Sequence, residues 1–151
     1  MHLSKQQINW TQILGIVSLI VGPFRLFAQT YGELDTGFEI SLSRRTEIPP
    51  GIQATILTTN TYPCEGYSIR SQVTWQKDTI NIRILGFVRP TPCFSTSSEA
   101  TGSAYLSNPG NGSYIVRLLY RGEEDMHLLF IRENKITIIP MRDEFSKLEW
   151  K

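Results

Sequence analysis

Tyr62-Pro-Cys64-Glu-Gly-Tyr67 opens an alternating run that reaches Trp75. Gln76-Lys77-Asp78 is a short polar turn, a second alternating run extends to Val88, and Arg89-Pro-Thr91-Pro-Cys93 closes the stretch. In the first run Tyr67, Ile69, Val73 and Trp75 share one parity, with Ser71 its only polar member. In the second, Ile80, Ile82 and Ile84 alternate with Thr79, Asn81 and Arg83. Period-two alternation in β-branched and aromatic residues on both sides of a polar turn predicts a β-hairpin. Folding the runs back on that turn brings Cys64 and Cys93 together at the open end. They are the only cysteines in the chain, so a disulfide clamping the hairpin's mouth is expected. Closing a loop of this length contributes on the order of 3–4 kcal/mol.

The chain has 151 residues, one domain's worth, and a mean hydropathy of -0.17. Its 40% hydrophobic content suits a folded globular domain rather than a disordered one. Net charge is +1, and two of the fifteen bases, Lys5 and Arg25, precede residue 29, where there are no acids. The remaining thirteen bases face fourteen acids, so no basic surface is available to displace counterions from a nucleic acid or to bind anionic lipid.

Residues 1–28 read as an export signal. Lys5 gives a positive n-region, residues 13–21 form an apolar stretch, Gly22-Pro23 breaks any helix, and Ala28 offers a small residue for cleavage before Gln29. The alternative is an uncleaved N-terminal anchor, although the apolar stretch falls short of the roughly 20 residues that span a bilayer. A membrane association is expected only in that case. Export and a disulfide support each other, because disulfides persist in oxidising compartments. A secreted or periplasmic location follows, with residues 29–151 as the mature domain.

Further strands are expected at Phe38, Ile40 and Leu42, at Ile52, Ala54 and Ile56, and at residues 103–106. Two more flank the acidic stretch Glu123-Glu124-Asp125: Tyr114, Val116, Leu118 and Tyr120 share one parity before it, and residues 126–131 return after it as a hairpin partner. A last strand covers residues 136–139. The Ser/Thr-rich segment 94–102 reads as an exposed loop. In the tail, Phe145 and Leu148 stand at helical spacing, which predicts a short helical turn or a frayed end. Seven or eight short strands with turns between them predict an all-β, antiparallel two-sheet sandwich, with an up-and-down barrel as the second choice.

Leu106-Ser-Asn-Pro109-Gly110-Asn-Gly-Ser-Tyr114-Ile-Val116-Arg-Leu118 is similar to the Leu…Pro-Gly…Tyr-x-Val pattern before a late strand of fibronectin type III and other immunoglobulin-like domains. That resemblance implies an immunoglobulin-like sandwich and a tyrosine corner, in which the Tyr114 hydroxyl bonds back to upstream backbone. It implies no particular function.

No nucleophile elbow, zinc-protease motif or phosphate loop occurs in the sequence. His127 is the one histidine of the mature domain, too few imidazoles and free thiols for a zinc site, so no metal and no cofactor are expected. Glu123, Glu124 and Asp125 read as a solvated hairpin tip. Arg83 and Arg117 fall on polar parities and would present guanidinium groups from a sheet face. Ile115, Leu119, Leu129 and Ile131 (with Leu85, Phe87 and Ile139) sit opposite the expected core parity. Such residues form either a covered second face or an exposed apolar patch that docks a partner. Arg89 and Thr91 lie in a proline-stiffened loop of the kind protease inhibitors present. The expected function is a non-catalytic, exported binding module whose partner is another protein or a neighbouring domain. A carbohydrate-binding module with a polysaccharide ligand ranks next, then a protease inhibitor, then a small enzyme.

Overall fold

The computed structural model describes residues 37–47, 49–93, 96–107, 109–133 and 135–151. The expected signal segment at 1–28 and the first two residues, 94 and 95, of the expected 94–102 loop lie outside the described residues. Among those described, nine strands follow in chain order: β1 Phe38–Arg45, β2 Gly51–Tyr62, β3 Ser68–Gln76, β4 Thr79–Val88, β5 Ser98–Ser107, β6 Gly112–Tyr120, β7 Glu123–Arg132, β8 Lys135–Arg142 and β9 Ser146–Trp150. The hairpin is β3–β4, antiparallel from Ser68 opposite Val88 to Gln76 opposite Thr79, and Cys64 and Cys93 are bonded across its mouth with Cα atoms 5.3 Å apart.

The fold is all-β, but the two-sheet antiparallel sandwich is not what forms. One mixed sheet, ordered β8-β7-β6-β4-β3-β5-β2-β1-β9, curls nearly into a barrel. The departure begins at the disulfide. Cys64 follows β2 and Cys93 follows β4, so the bond holds the start of the β4–β5 connection beside the end of β2. The chain therefore crosses the end of β3 and lays β5 against β2, with Tyr62 opposite Ser98 and Ile52 opposite Leu106. That leaves the far side of β4 for β6, which can only pair with it in parallel, Thr79 opposite Ile115 through Arg83 opposite Leu119. Residues 98–102, expected as loop, belong to β5. Their small inward members suit a crowded interior: a Cβ on Gly102 would lie 2.7 Å from Ile69 Cβ and 2.8 Å from Ile69 O.

The interior is a packed core. Ile40, Leu42, Ile56, Ile80, Ile82, Leu106, Val116, Leu118 and Leu129 are fully buried in it. At the disulfide end Phe38 packs edge-on to Tyr120 at 5.0 Å, with Phe87 and Phe145 beside it. Phe87, expected on the outer parity, reaches this cluster through a bulge. Between Arg70 and Ser71 of β3 the register slips against β4, and Gly86 takes φ 137°, a conformation open to glycine and costly to other residues. The slip turns Phe87 inward to join Ile80, Ile82 and Ile84.

The tail is neither helical nor frayed. Ser146, Leu148 and Trp150 alternate with Lys147 and Glu149, and β9 pairs in parallel with β1, Phe38 opposite Ser146 and Leu42 opposite Trp150. Its start is fixed by Asp125 of β7, which is wholly buried. One carboxylate oxygen accepts from the Glu144 amide at 2.9 Å. The other accepts from the amides of Phe145 (3.0 Å) and Ser146 (2.7 Å) and from the Ser146 hydroxyl (2.6 Å). Three backbone donors that would otherwise be stranded between β8 and β9 are thus satisfied by one side chain.

Asp125→Ala is expected to lower the free energy of unfolding by about 3 kcal/mol or more, since it strands three amides at about 1–3 kcal/mol each. Glu123→Ala on the exposed neighbour should stay within about 0.5 kcal/mol of wild type. Urea unfolding followed by tryptophan fluorescence checks both. By the same measurement the Cys64→Ala/Cys93→Ala double variant should lose about 3–4 kcal/mol, the stabilisation expected from closing a loop of that size.

Candidate interaction face

Residues directly opposite in a sheet share a face, so register sorts the side chains that the sequence singled out. The core parity of β6 carries Tyr114, Val116, Leu118 and Tyr120, as expected. Ile115, Arg117 and Leu119 therefore point outward, and so does Arg83, which is opposite Leu119. Leu129 and Ile131 do not join them. They are 0% and 4% exposed and point inward with His127 and Asp125. Both parities of β7 are apolar over much of its length, and the polar pair Asp125 and His127 disguised the inward one.

The outer members of β7 are Glu124, Met126, Leu128 and Phe130. Ile115 of β6 faces Leu128 of β7, and Leu128 faces Ile139 of β8. These three form an apolar row across three strands, flanked by Met126 and Phe130. Ile139 is 46% exposed and Met141 beside it 59%. This row is the one extended apolar feature of the outer surface among the described residues.

Towards β3 and β4 the same face becomes polar. Gln72 is opposite Arg83, Thr74 opposite Asn81, and Gln76 opposite Thr79. With Arg117 and Leu119 these residues line a depression of about 410 Å³. Arg117 and Glu124 mark the border between the two halves, joined by paired hydrogen bonds of 2.5 and 2.7 Å. Those bonds raise the Arg117 guanidinium above its ordinary range and hold the Glu124 carboxyl below its own. Asn81 lies at the floor, 7% exposed, and its carboxamide oxygen finds no hydrogen-bond partner among the described residues.

Other expected features are scattered. Arg89 and Thr91 are exposed at the disulfide end, away from the apolar row. Glu123, Glu124 and Asp125 do not form a solvated tip. The turn is Arg121-Gly122, and the three acids start β7 with one exposed, one paired to Arg117 and one buried. Tyr62 joins the inner aromatic cluster, Tyr105 donates to the Pro50 carbonyl at 2.8 Å, and Trp75 packs edge-on against Tyr114 at 5.9 Å. The Tyr114 hydroxyl does bond back to the Gly110 carbonyl at 3.0 Å, the local bond of a tyrosine corner, though in a sheet of different order. At the opposite end from the disulfide, Ile52, Ile131 and Ile136 underlie an opening of about 490 Å³ rimmed by Arg44 and Arg45. Both rim cations are already engaged, Arg44 with the Glu133 carbonyl and Arg45 with Glu47 and the Tyr105 ring.

His127 is 1% exposed, and neither ring nitrogen has a partner among the described residues. Burial pushes its pKa below the ordinary 6.5, against the opposing charges of Asp125 and Asp143.

No protein-family model, curated protein or solved structure matches the chain.

The lowered His127 pKa gives a signed expectation. As pH falls through about 6.5 the unfolded chain takes up a proton before the folded one does, so stability declines from there towards the folded pKa, at no more than about 1.4 kcal/mol per pH unit from this group. His127→Leu removes an unsatisfied polar ring. It should be at least as stable as wild type at pH 7.5 and lose less stability on going to pH 5.5, read from urea midpoints at the two pH values.

Proposed function

We propose that this chain is an exported, non-catalytic binding module that holds a protein partner on the outer face of β6, β7 and β8. The observation that carries this reading is the apolar row Ile115, Leu128 and Ile139, in register across three strands and reaching Met141. A partly exposed apolar ridge beside charged neighbours is the composition of a docking surface, with a desolvated centre and a polar rim. Arg117, Glu124 and Arg142 supply that rim.

Export is supported by the N-terminal charge and apolar pattern and by the disulfide, a bond compatible with an oxidising extracellular or periplasmic setting. The immunoglobulin-like likeness around Tyr114 supports binding only by analogy, because that architecture so often serves recognition.

The test is affinity capture with the oxidised full chain against envelope and secreted fractions of its source. A specific protein should be retained by wild type, lost with Ile139→Glu or Leu128→Glu, and kept with Arg70→Glu on the outer surface of β3. Loss of one desolvated apolar anchor should weaken binding by about tenfold or more. Capture unaffected by either charged variant, or no capture at all, overturns the proposal.

A further inference from the structure

We infer that β8 is an acid-sensitive flap: protonation of His127 releases β8 and the turn after it from β7, while the rest of the sheet stays folded. Such release is independent of any partner on the outer face, and it begins where β8 lies against His127. Directly opposite residues share a face, and His127 is opposite Pro140. Proline offers no amide to the ladder. The next pair is Met126 with Arg142, so Met141 is an extra residue on β8 and the register slips at this point. Pro140 shares the inward face of His127 and is nonetheless exposed, which brings solvent to its far side. The strand is also loosely held from within. Its other inward members, Ile136 and Ile138, are half-buried, whereas Leu129 of β7 and Val116 of β6 are fully buried. Few buried contacts and an interrupted ladder are the marks of a segment that opens locally.

His127 supplies the trigger. It is 1% exposed, and both ring nitrogens lack partners among the described residues. The neutral ring is tolerated there, but a charged one brings two N–H donors and a cation that need partners. Asp125, two residues along β7 on the same face, is the buried carboxylate beside it. The amides of Glu144, Phe145 and Ser146 and the Ser146 hydroxyl already occupy that group. Glu123 shares the parity but is exposed, and Arg142, Asp143 and Glu144 are exposed around the turn after β8. Arg142 and Glu144 pair with each other. The inward positions of β1, β4, β6, β8 and β9 carry no charged group among the described residues except Arg44, which the Glu133 carbonyl holds at the far end of β1. The inward face of β6 adds Tyr114 and Tyr120. A proton on His127 therefore draws Asp125 from the amides that fix the turn, or draws water in past Pro140. Both routes loosen β8.

Hydrogen exchange of the oxidised full chain, followed by ¹H–¹⁵N NMR at pH 7.5 and pH 5.5 and corrected for intrinsic rates, tests this. At pH 7.5 the β8 amides bonded to β7 should show a larger open population than those of the β3–β4 hairpin, which exchange through global unfolding. At pH 5.5 the open β8 population should be several-fold larger still, about tenfold at most, because an imidazole released to solvent gains a proton as pH falls through its ordinary 6.5. His127→Leu should abolish the pH effect, and so should His127→Gln, which keeps a polar side chain there. An open population at pH 7.5 no larger in β8 than in β3–β4, one that changes less than about twofold between the two pH values, or a pH effect that survives in both His127 variants each overturns the inference.

Discussion

The carboxylate of Asp125 ties the two ends of the sheet together. A nine-stranded sheet with free edges at β8 and β9 would leave its interior open along one side. Asp125 stands on β7, one strand in from the β8 edge, and gathers the amides of Glu144, Phe145 and Ser146 as the chain turns from β8 into β9. The first residue of β9 is thereby set opposite Phe38, and the Phe38 amide in turn donates to the Phe145 carbonyl at 2.9 Å. Burying a charge is unfavourable unless its hydrogen-bonding capacity is filled. Here four donors fill it. The inner surface becomes a core, and Ile115, Leu119, Leu128 and Ile139 are carried on the outer one.

That outer surface carries two chemistries side by side, and the border between them is a hydrogen-bonded ion pair. On one side lie amides and hydroxyls, on the other branched aliphatics and methionines. The Arg117–Glu124 pair keeps a guanidinium from spreading a positive field over the amide-lined depression and keeps a carboxylate off the apolar row. Its two groups are about one-third exposed, so the net stabilisation is modest. Its effect is on arrangement.

Much of this was legible in the sequence where alternation was clean. The β3–β4 hairpin and its disulfide, β1, β2 and the inward parity of β6 all followed from period-two patterns. Reading failed where the interior admits polar or small residues. Asp125 and His127 made the inward parity of β7 look like a surface, and the Ala, Gly and Ser of β5 carried too little hydrophobicity to announce a strand. The signal for Asp125 was available all the same, since it shares parity with His127, Leu129 and Ile131. A single bulge at Gly86 changed the facing of Phe87, which no alternation rule anticipates. Strand order was out of reach for another reason: it depends on where the disulfide parks the β4–β5 connection, and spacing alone is compatible with β5 beside β4 or across β3.

The parallel pairing of β1 with β9 has a consequence for how the domain comes to be folded. Ser41 and Glu149 touch across 108 intervening steps of chain, and Phe38 has no neighbour on its outer side until Ser146 arrives. Hairpins such as β3–β4 and β6–β7 are local and can form as soon as their residues are free. The seam between first and last strands has the highest loop-closure cost in the sheet and comes after them. A chain synthesised N-terminus first therefore carries an unsealed sheet until β9 is through. During that interval the β1 edge is open to any extended segment nearby, whether its own β9 or that of a second molecule, and exchange of β9 between two emerging chains is the misassembly this topology invites.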